Sequence, residues 1–303
     1  MHPAPSIVLF TVLTGLGLGM IFWTGLGLGP DEGPYRWWVS VLSIGLAVAG
    51  AAASTGHLAR PDRAWRAFSQ WRSSWLSREA CLMVAALGAF GIYAAGWCLG
   101  GARFWPLGWI VAGFALATVH ATAMIYAQLK AVPRWSLTPT VPAFLAFAGA
   151  GGLLGAEAAA ALAGAEVAEG AVLLALALAA GVAVWWQTEA AGAGRRSTGS
   201  DIGTATGLGR LGRVRLFEPP HTGRNYLLDE MAFRVARRRA WQLRLVGAVL
   251  GFLVPILLGL LAWPLGGWLM VPALLAHLAG MLALRWLFFA EAEHVQALYY
   301  GMR

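Results

Sequence analysis

Between His57 and Glu79 the chain threads Arg60, Arg63, Arg66, Arg72 and Arg78 among Trp65, Phe68, Trp71 and Trp75. Histidine titrates near neutrality and a carboxylate exchanges protons with water, so the two end residues suit a carrier that moves protons with its electrons. Quinone is such a carrier, with two electrons and two protons per cycle, a polar headgroup and a lipid-soluble tail. On this reading His57, Arg60, Arg78 and Glu79 surround the headgroup at a membrane boundary. The same residues allow a plainer arrangement, in which His57 caps a helix end and Glu79 pairs with a neighbouring arginine.

Other chemistry-bearing residues are few. Glu157 lies in an apolar stretch, where a carboxylate is a proton-path candidate by default. Glu291 and His294 can meet on one helix face, where a solvated pair is expected. His120 and His277 are the pair that could hold a haem, against the commoner role of hydrogen-bonded core histidines. Cys81 and Cys98, the only 2 cysteines, exclude an iron–sulfur cluster held by this chain and read as small packing residues. Gly207, Gly209 and Gly212 match a dinucleotide fingerprint, but no strand precedes them and no βαβ unit surrounds them. Gly15 and Gly19, then Gly25 and Gly29, have the spacing that lets membrane helices approach closely.

The elements that must position these residues are membrane spans. The chain is 59% hydrophobic and 12% charged, with a mean hydropathy of +0.65, whereas a soluble domain carries roughly 25% charged residues. Apolar runs long enough to cross the bilayer as helices predict an all-α integral membrane bundle with spans at 6–29, 35–56, 80–100, 106–128, 141–164, 170–189, 241–263 and 268–290. No alternation of the barrel type interrupts them. The first ten residues hold neither a basic stretch nor a twin arginine, so span one is expected to begin directly, without a cleaved signal. Tryptophans at span ends, Trp37, Trp38, Trp105, Trp135, Trp263 and Trp268, are expected at headgroup level.

Eight crossings put both termini on one face. Of the 22 lysines and arginines, all but Arg36 and Arg103 fall on that face, which the positive-inside rule makes cytoplasmic, in a bacterial inner membrane. Topology thus accounts for the +8 net charge without nucleic acid. Residues 57–79 are expected to lie flat at the interface as an amphipathic helix. Residues 190–240 form a cytoplasmic loop too long for a mere connection. Arg63, Arg66, Arg72, Arg213, Arg215, His221 and Arg224 are candidates for docking a soluble partner, with anionic lipid as the simpler occupant.

Five blocks in order then show a resemblance that runs nearly end to end. They are His2-Pro-Ala-Pro-Ser6, Ser54-Thr-Gly-His-Leu-Ala-Arg-Pro61 continuing to Arg78-Glu79, Thr122-Ala-Met-Ile-Tyr126, Glu218-Pro-Pro-His221 with Asn225-Tyr-Leu-Leu228, and Arg285-Trp-Leu-Phe-Phe-Ala-Glu291. Together they resemble the membrane anchor subunit of dimethyl sulfoxide reductase-type molybdoenzymes. The resemblance implies a three-part complex: a molybdopterin catalytic subunit, a four-cluster iron–sulfur subunit, and a haem-free anchor that exchanges electrons with ubiquinone or menaquinone. It associates the residues matching His57 and Glu79 with the quinone site. The cytoplasmic placing of the large segments looks more like the sulfite-oxidising members than like a reductase with exported subunits; the alternative is the anchor of an S- or N-oxide reductase that oxidises menaquinol. A haem-bearing quinol cytochrome and a secondary transporter remain the readings of another class, though no inverted repeat relates the first four spans to the last four.

Overall fold

The computed structural model describes residues 4–31, 33–56, 60–193, 201–218, 239–292 and 294–295. In lipid every backbone N–H and C=O needs a partner inside its own segment, and the apolar runs accordingly fold into helices. They are α1 (Pro5–Gly25), α2 (Tyr35–Thr55), α3 (Trp75–Gly100), α4 (Trp105–Ala127), α5 (Thr140–Leu162), α6 (Glu169–Ala193), the short α7 (Ile202–Thr206), α8 (Ala240–Leu265) and α9 (Met270–Ala290). All but α7 are long and apolar enough to cross a membrane, and no strand occurs among the described residues. Large apolar side chains such as Val41, Ile92, Leu174 and Leu275 point outward, as a hydrocarbon solvent permits.

Local chemistry sets the helix ends. Pro5 and Pro106 occupy first-turn positions, where a missing N–H costs nothing. Ser74 caps α3 by accepting the Ser77 N–H, and Gly101 ends that helix in the left-handed conformation at φ 81°. The cap starts α3 at Trp75, more than a turn earlier than hydropathy alone suggests, so Glu79 sits inside the helix instead of at its boundary.

Helix α1 is the hub, packed against α2, α4, α5 and α9. Glycines make the approach close: a Cβ on Gly17 would lie 2.6 Å from the Ala47 nitrogen of α2, one on Gly25 2.6 Å from the Gly108 oxygen of α4, and one on Gly19 would strike the Ala148 carbonyl of α5. The packing expected of the glycine repeats is therefore present, but Gly17 carries part of it, while Gly15 makes only an ordinary 3.9 Å contact.

Cross-links between helix ends define two faces. On the arginine-poor face, Arg103 pairs with Asp31 at 2.5 Å and donates to the Gly29 and Pro30 carbonyls, its guanidinium 4.2 Å from the Trp97 ring centre. On the arginine-rich face, the Glu291 carboxylate bridges Arg134 (2.7 Å) and Arg244, and Arg244 also donates to Gln187 at 3.2 Å. One carboxylate thus ties the ends of α6 and α9, the start of α8 and the α4–α5 connection. The solvated setting expected for Glu291 from spacing gives way to a buried bridge, because two arginines from distant parts of the chain converge where a one-dimensional reading sees only neighbours.

Two other expectations shift. Trp135 is not a headgroup anchor: it is buried, donates its Nε1–H to the Phe288 carbonyl at 3.0 Å, and belongs to a ring cluster with Tyr126, Phe144, Phe288 and Phe289. Within 57–79, the helix that forms is a 3-10 helix, Pro61–Phe68, followed by turns up to Ser74, not one amphipathic α-helix. At three residues per turn, Trp65 and Phe68 align in one exposed row and Arg63 and Arg66 in another, with Trp71 and Arg72 exposed in the turns that follow.

In the long loop, residues 201–218 contain α7, opened by a reciprocal cap between Asp201 and Thr204, whose N–H holds the Asp201 carboxyl below its usual range. Gly207 closes α7 in the left-handed conformation, a helix cap in place of a dinucleotide loop.

Candidate functional site

Glu79 is 4% exposed, in the second turn of α3 on the arginine-rich side. No basic side chain among the described residues pairs with it. Its neighbour Arg78 is turned away, donating to the Trp71 and Arg72 carbonyls at 3.0 and 2.7 Å with its guanidinium 4.3 Å from the Trp75 ring centre. Arg78 thus fastens the end of the arginine-rich segment onto the first turns of α3. The plainer arrangement, a Glu79–arginine pair, is not what forms among these residues.

The partner Glu79 does have is the hydroxyl of Thr122, one helix away on α4. That hydroxyl also lies 3.1 Å from the Thr118 carbonyl. It has one hydrogen and two acceptors to serve. Turned to Glu79, it supports a charged carboxylate. Turned to Thr118, it leaves its oxygen to accept from a protonated carboxyl. The pair has one hydrogen-bond arrangement for each protonation state of Glu79, which is what a group that takes up and releases a proton inside a protein requires. Tyr126, one turn further along α4, packs its ring on Phe144 and Phe288.

The remaining candidates separate. His57, His221 and Arg224 lie outside the described residues. Arg60 is exposed and forms a two-pronged contact with Asp62 at 3.2 and 3.3 Å, within the first turn of the 3-10 helix. Arg63, Arg66 and Arg72 are exposed, the last two lying over Trp65 and Trp71 at 5.6 and 5.4 Å from the ring centres. Arg213 and Arg215 are exposed in the long loop, beside a Phe217 that is 91% exposed. Glu157 is buried near the other end of the bundle and accepts the Ala168 N–H at 2.9 Å, directly ahead of α6. A carboxylate there suits the positive end of a helix and holds the α5–α6 turn. Glu157 lies 17 residues along α5 from Thr140, about 25 Å at 1.5 Å per residue, and is thereby separated from Glu79 by most of the membrane's depth.

The two histidines occupy different surroundings. His120 meets the Trp75 ring edge-on at 5.8 Å between centres. His277, 1% exposed on α9, places Nδ1 2.7 Å from the Gly251 carbonyl of α8. Pro255 explains that contact. It has no N–H to return to the carbonyl four residues earlier, the helix widens into a π turn over Val249–Leu253, and His277 serves the freed oxygen. Since a carbonyl only accepts, Nδ1 carries the hydrogen, and a neutral ring then presents Nε2 as an acceptor.

Sequence reasoning passed over Thr122, Pro255 and Arg285 as candidates. Arg285 had a signal, being an arginine within the last span, where a charge is expensive and marks function. Counting it with the loop arginines concealed it.

Comparison with known proteins adds a line of evidence independent of this geometry. The family model for the DMSO reductase anchor subunit (DmsC) matches residues 1–190. A sulfite dehydrogenase subunit of Allochromatium vinosum is 32% identical over 326 aligned positions, covering 99% of this chain and 99% of the relative. The family match takes in both residues of the Glu79–Thr122 pair, and the full-length match extends over the Glu291 bridge and the α8–α9 contact as well. An eight-span helical bundle with these similarities belongs to the DMSO reductase anchor subunit family.

Proposed function

We propose that this chain is the quinone-reactive anchor of a three-subunit molybdopterin oxidoreductase. It binds a four-cluster iron–sulfur subunit and a molybdopterin catalytic subunit on its arginine-rich face and exchanges electrons between those clusters and membrane quinone. The observation that carries the reading is the Glu79–Thr122 pair: a buried carboxylate with no cationic partner among the described residues and a hydrogen bond that suits both of its protonation states, close to the face where the partners dock. Quinone reduction consumes two electrons and two protons. The chain's own part is to hold the headgroup, keep bulk water from it and pass protons through Glu79, with Arg60 at the surface end of the path and His57 as a second titrating group.

The relative named sulfite dehydrogenase favours sulfite as the electron source. Sulfite and water yield sulfate, two electrons and two protons, which balances quinone reduction. On that reading the arginine-rich face and both termini are cytoplasmic. The family's DMSO reductase name favours a second direction, in which menaquinol supplies electrons for reduction of an S- or N-oxide. Docking through the long loop is supported by exposed Leu211 and Phe217 beside exposed Arg213 and Arg215.

Purification of the tagged chain in mild detergent tests this. A molybdenum-containing protein and an iron–sulfur protein are expected to accompany it, with sulfite-dependent quinone reduction in the eluate. Deleting residues 201–218 is expected to release most of both soluble partners from washed membranes. A chain that purifies alone in stable form, or partners that stay attached after the deletion, contradicts docking through this loop.

A further inference from the structure

A cavity lies between α1, α4, α5, α6 and α9, bordered by Thr122 and so one side chain away from Glu79. Its cavity volume is about 40 Å³, the room of about three waters. It therefore suits the polar edge of a flat ring and not a bulky head.

The wall is apolar except for a few polar side chains, and three of these are unsatisfied. Thr140 Oγ1, Trp186 Nε1 and His277 Nε2 are buried without a hydrogen-bond partner among the described residues. Buried polar atoms are nearly always paired, so three orphans around one cavity point to something that enters it. Arg285 completes the set. It is 8% exposed and forms no ion pair with the described residues, its guanidinium resting 3.7 Å from the Phe144 ring centre. A cation buried in a membrane span without an anion is costly unless a ligand uses it.

The position of the mouth selects the ligand. Of the lining residues only Gly15 of α1 and Leu278 of α9 keep partial exposure. Both sit well inside spanning helices, so entry is from lipid and not from water. A molecule that arrives through hydrocarbon and then meets two donors and one acceptor has an apolar body and oxygens that both accept and donate.

We propose that this cavity binds the headgroup of the membrane quinone. Arg285 and the Trp186 N–H donate to a ring oxygen, and His277 Nε2 accepts the hydroxyl of the reduced form. Thr122 then joins the cavity to Glu79 and the arginine-rich face. This rests on the quinone reading above and moves the headgroup contact from the surface segment to the bundle interior.

A short-chain quinone bearing a photoreactive azide on its ring tests the assignment. It is irradiated with the complete detergent-solubilised complex, and adducts are mapped by mass spectrometry with and without excess unlabelled short-chain quinone. Competed adducts are expected in α9 between His277 and Phe288 or in the first two turns of α5. Trp186→Phe, which keeps an aromatic ring but loses the N–H along with part of the indole, and Arg285→Gln are each expected to lower labelling about tenfold, the worth of one strong hydrogen bond. Competed adducts confined to residues 60–79 overturn the cavity while leaving the quinone reading intact, as does cavity labelling that neither variant changes. No competed adduct anywhere, in a complex that also fails to turn over with quinone, overturns both.

Discussion

Glu79→Gln is expected to lower quinone-coupled turnover of the complex about a hundredfold or more, the usual worth of a positioned proton-transfer group. Turnover with a water-soluble dye, which takes electrons without using the membrane site, should remain within about twofold. Glutamine keeps the shape and can still hydrogen-bond to Thr122, but it cannot change protonation state. Thr122→Val is the companion. It preserves packing and removes the hydroxyl that matches both states of the carboxylate, and a loss of about tenfold is expected from a hydrogen bond to a charged group. Equal loss in the quinone and dye assays for either variant would show a structural role and remove Glu79 from the proton path.

The largest effect on stability is expected at Glu291. Glu291→Ala leaves Arg134 and Arg244 facing each other at a largely buried position, 7% exposed in the native chain. Breaking a buried pair from one side costs roughly 3–5 kcal/mol, and the partial exposure of Arg244 keeps this case near the lower end. The detergent-solubilised variant should lose monodispersity at a temperature several degrees below the native chain. Glu291→Gln, which still accepts from both guanidiniums, should recover part of the loss. A variant as stable as the native chain would mean that the four elements joined at this carboxylate are held by the Tyr126–Trp135–Phe288 ring cluster alone.

Much of the architecture is legible in the sequence because the bilayer is an exacting solvent. A run such as Ala171 to Trp186 can only be a helix there, and the arginine count divides the faces without any tertiary information. Glu79 is legible as a candidate for the same reason, since a carboxylate at a span's start stands out against apolar neighbours. What does not show is whatever depends on two distant segments meeting. Thr122 looks like one small residue among many until α4 sets it against α3. Glu291 reads as solvated until Arg134 and Arg244 arrive from other parts of the chain. Pro255 and His277 read as a tolerated proline and a lone histidine, and only the packing of α8 on α9 makes one explain the other. The 3-10 helix at Pro61–Phe68 escapes for a local reason: an aromatic residue every three positions suits that helix and the edge of an α-helix about equally well.

Low-temperature electron paramagnetic resonance offers the sharpest measurement, because it reads the partner's iron–sulfur clusters directly. A reduced short-chain quinone is added to the complete complex and, separately, to the soluble pair released from its membrane chain. The clusters should come to redox equilibrium with the quinone within a turnover time in the complete complex, slowly in the Glu79→Gln complex, and not at all in the released pair. Clusters that equilibrate equally fast without the membrane chain would place the quinone site elsewhere.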